Sequence, residues 1–367
     1  MRAGVRDRNV SGTLSAAREQ IMSSIGNVCS AAVLHVRRDG NVVGEFGFGR
    51  RTPKGAAATP DSIFDIASLT KLFVGSAFLS LVDKRAVALD DPVAGVIAEL
   101  AGADTRRSCI TFRQLLTHTS GLPAHVSFRE EHGARAVIER VCATPLASAP
   151  GTGIVYSDLG FMLVGEAVAR LAGQPLEDAI AALVTVPIGA ADAAYHPSPF
   201  QHNRIVCTER DGWRKRLLCG EVHDENSWAM GGVGGHAGMF ATAHDIAELG
   251  EMYRLSGCVA LRYVLMRPTA HEATREQVSG VDERRGLAWA LKSGTDHSCG
   301  ARMSWNSFGH TGFTGSSLWV DPDNRLTVAF LTNRVYFSRD PEPIRRLRAA
   351  VHDAVFADIA HGSDRAS

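Results

Sequence analysis

Ser62-Ile63-Phe64-Asp65-Ile66-Ala67-Ser68-Leu69-Thr70-Lys71-Leu72-Phe73 sets a hydroxyl and an amine three positions apart at the head of an apolar segment. That segment continues through Val74, Ala77, Phe78, Leu79, Leu81 and Val82. Helical spacing puts Ser68 and Lys71 on one face of its first turn. Desolvation there lowers a lysine pKa, so the expectation is a neutral amine able to take the serine proton. The N–H groups and dipole of a helix amino terminus also favour a developing oxyanion. Ser-x-x-Lys by itself occurs on many helices with a solvated lysine, so its meaning depends on the rest of the chain.

Outward from this stretch, Thr13 to Ile25 has helical spacing, and Ala31 to Arg37, Asp39-Gly40 and Asn41 to Phe46 read as a hairpin. Arg50 to Pro60 is a Pro, Gly and Ala-rich connection. Residues 68 to 256 read as mostly helical, punctuated at Thr119 to Pro123, Pro150 to Gly153 and Met230 to Gly238. Thr111-Phe112-Arg113-Gln114 is a capping box, and Leu159 to Leu171 and Leu176 to Val184 are further helices. After Gly286 the period changes: Leu287 to Leu291, Ser316 to Val320 and Leu326 to Thr332 read as strands. A closing helix from Pro343 to Ile359 aligns Ile344, Leu347, Val351, Val355 and Ile359. Strands at both ends with helices between them predict an α+β fold. A mainly antiparallel sheet flanked by terminal helices (about 12–60 and 286–360) carries an inserted, mostly helical lobe (about 61–285). The whole chain, 1–367, is then one bilobal domain, with the site between its lobes.

Thirty-nine basic and 39 acidic residues cancel, so no charge field points to nucleic acid. No apolar run reaches membrane-spanning length, and Met1 to Gly26 has no signal-like apolar core; a soluble, cytoplasmic protein is expected. Cys29, Cys109, Cys142, Cys207, Cys219, Cys258 and Cys299 form no C-x-x-C pair and read as seven free thiols of a reducing compartment. His223, Asp224 and His236 match no metal-ligand spacing and read as a hydrogen-bonded loop beneath the cleft. Gly232-Val233-Gly234-Gly235-His236-Ala237 lacks the preceding strand that a dinucleotide site needs. No cofactor or metal is expected. Arg345, Arg346 and Arg348 read as the solvated face of the last helix. Trp213, Trp228 and Trp305 are equally open to a place on the cleft rim or in the core.

Two distant segments give the serine and lysine partners. Gly153-Ile154-Val155-Tyr156-Ser157-Asp158-Leu159-Gly160 feeds a loop into a helix; Tyr156 there can act as a general acid or base, and Asp158 can cap the helix. Phe308-Gly309-His310-Thr311-Gly312-Phe313-Thr314-Gly315 places close glycines at a strand edge, where backbone N–H groups can receive a substrate or oxyanion. His310 sets a titratable donor beside them.

In this order, Ser-Leu-Thr-Lys, Tyr-Ser-Asp and His-Thr-Gly resemble the three motifs of the serine β-lactamase and penicillin-binding-protein superfamily. The likeness is to the class C-like branch with its esterases, D-aminopeptidases and DD-peptidase-like hydrolases. Leu115 to Leu122, His223-Asp224-Glu225-Asn226, Gly235 to Phe240 and Leu331 to Arg334 resemble that branch too, so the likeness runs from about residue 28 to 358. It implies Ser68 as nucleophile, Lys71 as base or electrostatic activator, and Tyr156 as proton relay. It further implies an oxyanion hole from the N–H groups of Ser68 and Phe313, and Asp158, His310, Thr311 and Gly312 as substrate-binding residues. Branch members that open β-lactams well usually carry Asn at the place of Asp158 and Lys at that of His310. An aspartate lacks the amide donor, and a histidine is charged only below its pKa.

The expectation is a serine hydrolase acting on a small ester or amide through an acyl-enzyme, esterase-like, with weak or no β-lactamase activity. A DD-peptidase or penicillin-binding protein, an acyltransferase, and a non-catalytic binding scaffold stay open beside it. No nucleic-acid or membrane partner is expected, and the sequence is silent on oligomeric state.

Overall fold

The computed structural model describes residues 14–364 apart from 103, 282, 295 and 296. Two strands begin it after a first helix, α1 (Ser15–Ser24). They are β1 (Ala31–Arg38) and β2 (Asn41–Gly49), joined by Asp39 and Gly40 at φ 53° and 80°, the left-handed pair that a tight hairpin requires. The chain then leaves the sheet, and α2 (Thr70–Asp83), α3 (Asp158–Ala172) and α4 (Ala243–Arg254) are the main helices before it returns. Return comes through β3 (Val278–Ser279), β4 (Arg284–Arg285), β5 (Ala290–Leu291), β6 (Phe308–Thr311), β7 (Ser317–Asp321) and β8 (Leu326–Thr332). Helix α5 (Glu342–Asp364) closes the chain.

The eight strands form one antiparallel sheet in the order β3-β4-β5-β6-β7-β8-β1-β2. First and last segments meet where β1 pairs with β8, with Val33 opposite Leu331 and Leu34 opposite Phe330. Strand alternation sends their side chains to two cores. Leu34 and Phe330 join Ile21, Trp319, Ile344 and Val351 beneath α1 and α5, whereas Val33 and Leu331 join Phe73, Ile246 and Leu318 on the face covered by α4 and α2. A sheet buried on both faces explains why β1 and β8 read as continuous apolar runs. The α+β fold with a mainly antiparallel sheet is therefore as expected.

Local detail differs in instructive places. The sheet begins with β3 and β4, ahead of residue 286, and Ala288 at φ 68° breaks the expected strand Leu287 to Leu291 down to its last two residues. Within the helical region Phe64–Asp65, Ala194–Tyr195 and Met239–Ala241 form a small three-stranded sheet. The capping box at Thr111 and Gln114 is present. Residue Thr13, expected to start the first helix, lies outside the described residues. Cys207 and Cys219 are joined by a disulfide, which corrects the expectation of seven free thiols and removes the support they lent to a reducing compartment. Among the described residues no helix is long and apolar enough to cross a membrane.

Candidate active site

Ser68 lies in a 3-10 turn, Ala67–Leu69, that runs into α2. Ala67 holds φ 46°, a left-handed conformation that costs a non-glycine residue about 1–3 kcal/mol. Buried Asp65 fixes it. Its Oδ1 accepts the Ala67 N–H at 2.8 Å, its Oδ2 the His223 N–H at 2.7 Å, and its main-chain oxygen the Thr314 hydroxyl at 2.8 Å. Burial pushes the Asp65 carboxyl above its usual pKa against the pull of these N–H donors. The Ser68 N–H is left without a protein acceptor among the described residues.

Lys71, one turn on, is fully buried, and its Nζ donates to Ser68 Oγ at 3.0 Å, Asp158 Oδ1 at 2.7 Å and the His236 carbonyl at 3.0 Å. The carboxylate of Asp158 at 2.7 Å favours the ammonium form of this buried group. Burial alone would lower the lysine pKa, but Asp158 and Tyr156 outweigh it and hold it above the ordinary value. The expected neutral amine is thus corrected to an ion pair. Ser68 accepts from Lys71, leaving the serine proton free to go elsewhere. Burial would likewise raise Asp158, yet Lys71, His125 and His236 keep its carboxyl far below the usual range. The cap of α3 is Ser157, whose Oγ accepts from the Gly160 N–H, and not Asp158 as the sequence suggested. Asp158 sits against Lys71 and does not line the cleft. His236 donates Nε2–H to Asp224 Oδ1 at 2.9 Å, so the 223–236 loop supports the lysine from below.

Tyr156 is ringed by cations and imidazoles. His118 packs against it, tilted by 37°, at 4.5 Å between ring centres, Lys71 Nζ lies 5.0 Å and the Arg285 guanidinium 5.2 Å from its centroid, and His310 follows at 5.8 Å. His118, at φ 60°, accepts the Ser157 N–H through Nδ1 at 3.0 Å, anchoring the residue after Tyr156. His310 donates Nδ1–H to the Thr311 carbonyl at 2.8 Å. Burial, reinforced by Arg285 and Lys71, holds both imidazoles well below the ordinary histidine pKa. His310 is therefore neutral near neutral pH, and the titratable donor expected there carries no charge toward the cleft. The permanent cation on that side is Arg285, buried, paired with Glu283 and lining the cleft. Sequence reading missed it because an arginine next to Arg284 in a short segment carries no motif.

The β6–β7 turn faces Ser68. A Cβ on Gly312 would come within 2.6 Å of the Ile66 carbonyl oxygen, so only glycine lets the turn approach this closely. The Phe313 N–H has no protein acceptor among the described residues, and the Phe313 ring, 46% exposed, stacks on His223 and under Arg334, whose Cζ lies 4.5 Å from its centroid. A cleft of about 740 Å³ opens here, lined by Ser68, Tyr156, Arg285, His310, Phe313 and Arg348 among others. It includes Thr311 and Gly312 but none of Trp213, Trp228 and Trp305. Among the described residues no group of three or more His, Cys, Asp or Glu is placed to hold a metal.

A serine hydroxyl, a buried ammonium, a tyrosine and two free N–H groups converging on one cleft define a serine hydrolase of the β-lactamase and penicillin-binding-protein kind. The chain belongs to the Beta-lactamase family, whose profile matches residues 20–353. It is 31% identical over 306 residues, 76% of this chain and 70% of the relative, to an Escherichia coli (strain K12) protein with the provisional name D-alanyl-D-alanine carboxypeptidase. A penicillin-binding protein homologue from Caulobacter crescentus superposes with a TM-score of 0.74 at 20% identity, covering 96% of this chain and 99% of that one. A class C β-lactamase from Rhodobacter sphaeroides gives 0.75 at 17%, over 96% and 99%. The hydrolase EstCE1, described as having promiscuous acyltransferase activity, gives 0.73 at 20%, over 95% and 100%. At these identities the solved structures are likenesses of fold.

Proposed function

We propose that the protein hydrolyses a small ester or amide through an acyl-enzyme on Ser68. The observation that carries this is the Lys71 ammonium donating to Ser68 Oγ at 3.0 Å while bound to Asp158 at 2.7 Å. A charged donor on the hydroxyl oxygen stabilises the alkoxide as it forms, so Lys71 acts as an electrostatic activator. Ser68 Oγ adds to the acyl carbon, and its proton passes through Tyr156, which takes one proton as it delivers one to the departing atom. The oxyanion lies between the N–H groups of Ser68 and Phe313, each such donor being worth roughly 3–4 kcal/mol. Water then enters where the leaving group stood, its oxygen adds to the acyl carbon, and its proton passes through Tyr156 to Ser68 Oγ as the acyl–Oγ bond breaks and the acid leaves. A neutral His310 and an Asp158 engaged by Lys71 favour simple esters and amides over β-lactams.

A second reading is favoured by Arg285. Its guanidinium lies over the Tyr156 ring and lines the same cleft. That position suits a leaving group bearing a carboxylate, as in the C-terminal residue of a carboxypeptidase substrate, in keeping with the name of the E. coli relative.

Turnover of p-nitrophenyl esters, D-amino acid amides, acylated D-dipeptides and nitrocefin by wild type and Ser68→Ala tests the proposal. Loss of several orders of magnitude on the ester or amide substrates is expected. Equal turnover by the two proteins would end it.

A further inference from the structure

Arg348 was expected on the solvated face of the last helix, yet it is buried, 7% exposed, and lines the cleft from α5. Its guanidinium grips the β6–β7 turn. Nη2 donates to the carbonyls of Gly312 at 2.7 Å and Ser316 at 2.8 Å, and Nε to that of Gly315 at 2.9 Å. Arg334 adds a fourth tie, Nε to the Phe313 carbonyl at 2.7 Å. Among the described residues neither arginine forms an ion pair with a carboxylate. A buried guanidinium that binds only main-chain carbonyls acts on the backbone that carries them.

The peptide that matters is Gly312–Phe313. In a trans peptide the C=O and N–H point to opposite sides. Arg348 holds the Gly312 oxygen from the α5 side, so the Phe313 N–H is turned to the cleft, where it has no protein acceptor. A charge-assisted bond to the oxygen also draws electron density through the amide, making its N–H a stronger donor. We propose that Arg348 is a positioning residue for the oxyanion hole, aiming and polarising the Gly312–Phe313 peptide so that its N–H meets the developing charge. The inference rests on the acyl-enzyme reading above. It makes Arg348 act only when charge develops, in the transition state, and not in binding the substrate's ground state.

The test compares wild type with Arg348→Met and Arg348→Lys in three readouts: kcat and KM on p-nitrophenyl butyrate, affinity for a simple boronic acid, and the Phe313 amide shift. The last is read in protein labelled with 15N-phenylalanine and assigned with Phe313→Leu. Arg348→Met is expected to lower kcat about 10–100-fold with KM little changed, short of the ~10²–10³ lost when a whole oxyanion donor is removed. Boronate affinity falls in parallel and the Phe313 amide proton moves upfield. Arg348→Lys, a point charge without the fork, falls between the two. If Arg348→Met does not fold, Arg348→Lys decides by the same readouts. A folded variant with unchanged kcat, boronate affinity and amide shift overturns the inference. So does a rise in KM at constant kcat, which would make Arg348 a substrate ligand. Failure of the acyl-enzyme reading is seen separately, as Ser68→Ala turnover equal to wild type, and the amide shift still reports on Arg348 in that case.

Discussion

Replacing Asp158 by asparagine removes one charge from the buried pair while keeping the side-chain shape. The carboxylate lies 2.7 Å from Lys71 Nζ, and the lysine side chain is completely buried. Stripping the partner from such a pair typically costs about 3–5 kcal/mol. With an unfolding entropy of about 2.1 cal/mol/K per residue, a chain of this length then melts roughly 4–6 °C lower. The signs of the two shifts set the pH window. Asp158 is depressed when folded, so its contribution is present above the unfolded carboxyl value near 3.8 and is lost as pH falls through the folded value. Lys71 is raised, so its contribution is present below 10.5 and is lost as pH rises through the folded value. Between these limits wild type keeps the pair intact, and no activity limb arises from Lys71. In Asp158→Asn the strongest pull against burial is gone, and the lysine is expected to titrate lower than in wild type. The assays are thermal unfolding and a pH profile of kcat/KM on a neutral ester. The variant is expected to lose activity as pH rises through the new lysine pKa, because the ammonium activates Ser68. A variant whose activity instead rises with pH would show the neutral amine acting as base and refute the reasoning.

Arg285→Met is expected to raise KM for esters with a carboxylated leaving group about tenfold, with little change for neutral ones. Because burial, Arg285 and Lys71 hold His310 well below the ordinary histidine pKa, KM for both classes should keep the same pH dependence through pH 6.5 in steady-state assays; a divergence there would restore a charged His310. Gly312→Ala forces a Cβ to 2.6 Å from the Ile66 oxygen, so the turn must retreat from Ser68. Ester turnover should fall at least 100-fold while circular dichroism stays native, in line with the sensitivity of an oxyanion hole to small displacements.

The core of the site was legible because its chemistry is carried by local spacing: Ser68 with Lys71, Tyr156 before a helix, and the glycines after His310. The strand Leu326 to Thr332 and the Asp39-Gly40 turn were equally plain, since each is written in a period or a turn residue. Protonation states were not legible. Lys71 looked destined for neutrality because burial was foreseen and its partner was not; Asp158, 87 positions away, had an adequate local role as a cap. His310 read as a titratable donor, and Arg285 and Lys71, which with burial hold it neutral, are distant in sequence. Arg348 did leave a signal. It stands four residues after Ile344 and three before Val351, on the apolar stripe of α5, but its neighbours Arg345 and Arg346 made it read as one of a charged run. The Cys207–Cys219 bridge, separated by twelve positions, matches no recurrent spacing.

The central claim is a covalent acyl group on Ser68. Mass spectrometry of the protein quenched in acid during turnover of a p-nitrophenyl ester, followed by peptide mapping, measures it directly. The expected result is one added acyl mass on the peptide carrying Ser68, absent in Ser68→Ala and accumulating when Tyr156→Phe slows release. Turnover with no adduct on Ser68, or an adduct on another residue that survives in Ser68→Ala, would contradict the account.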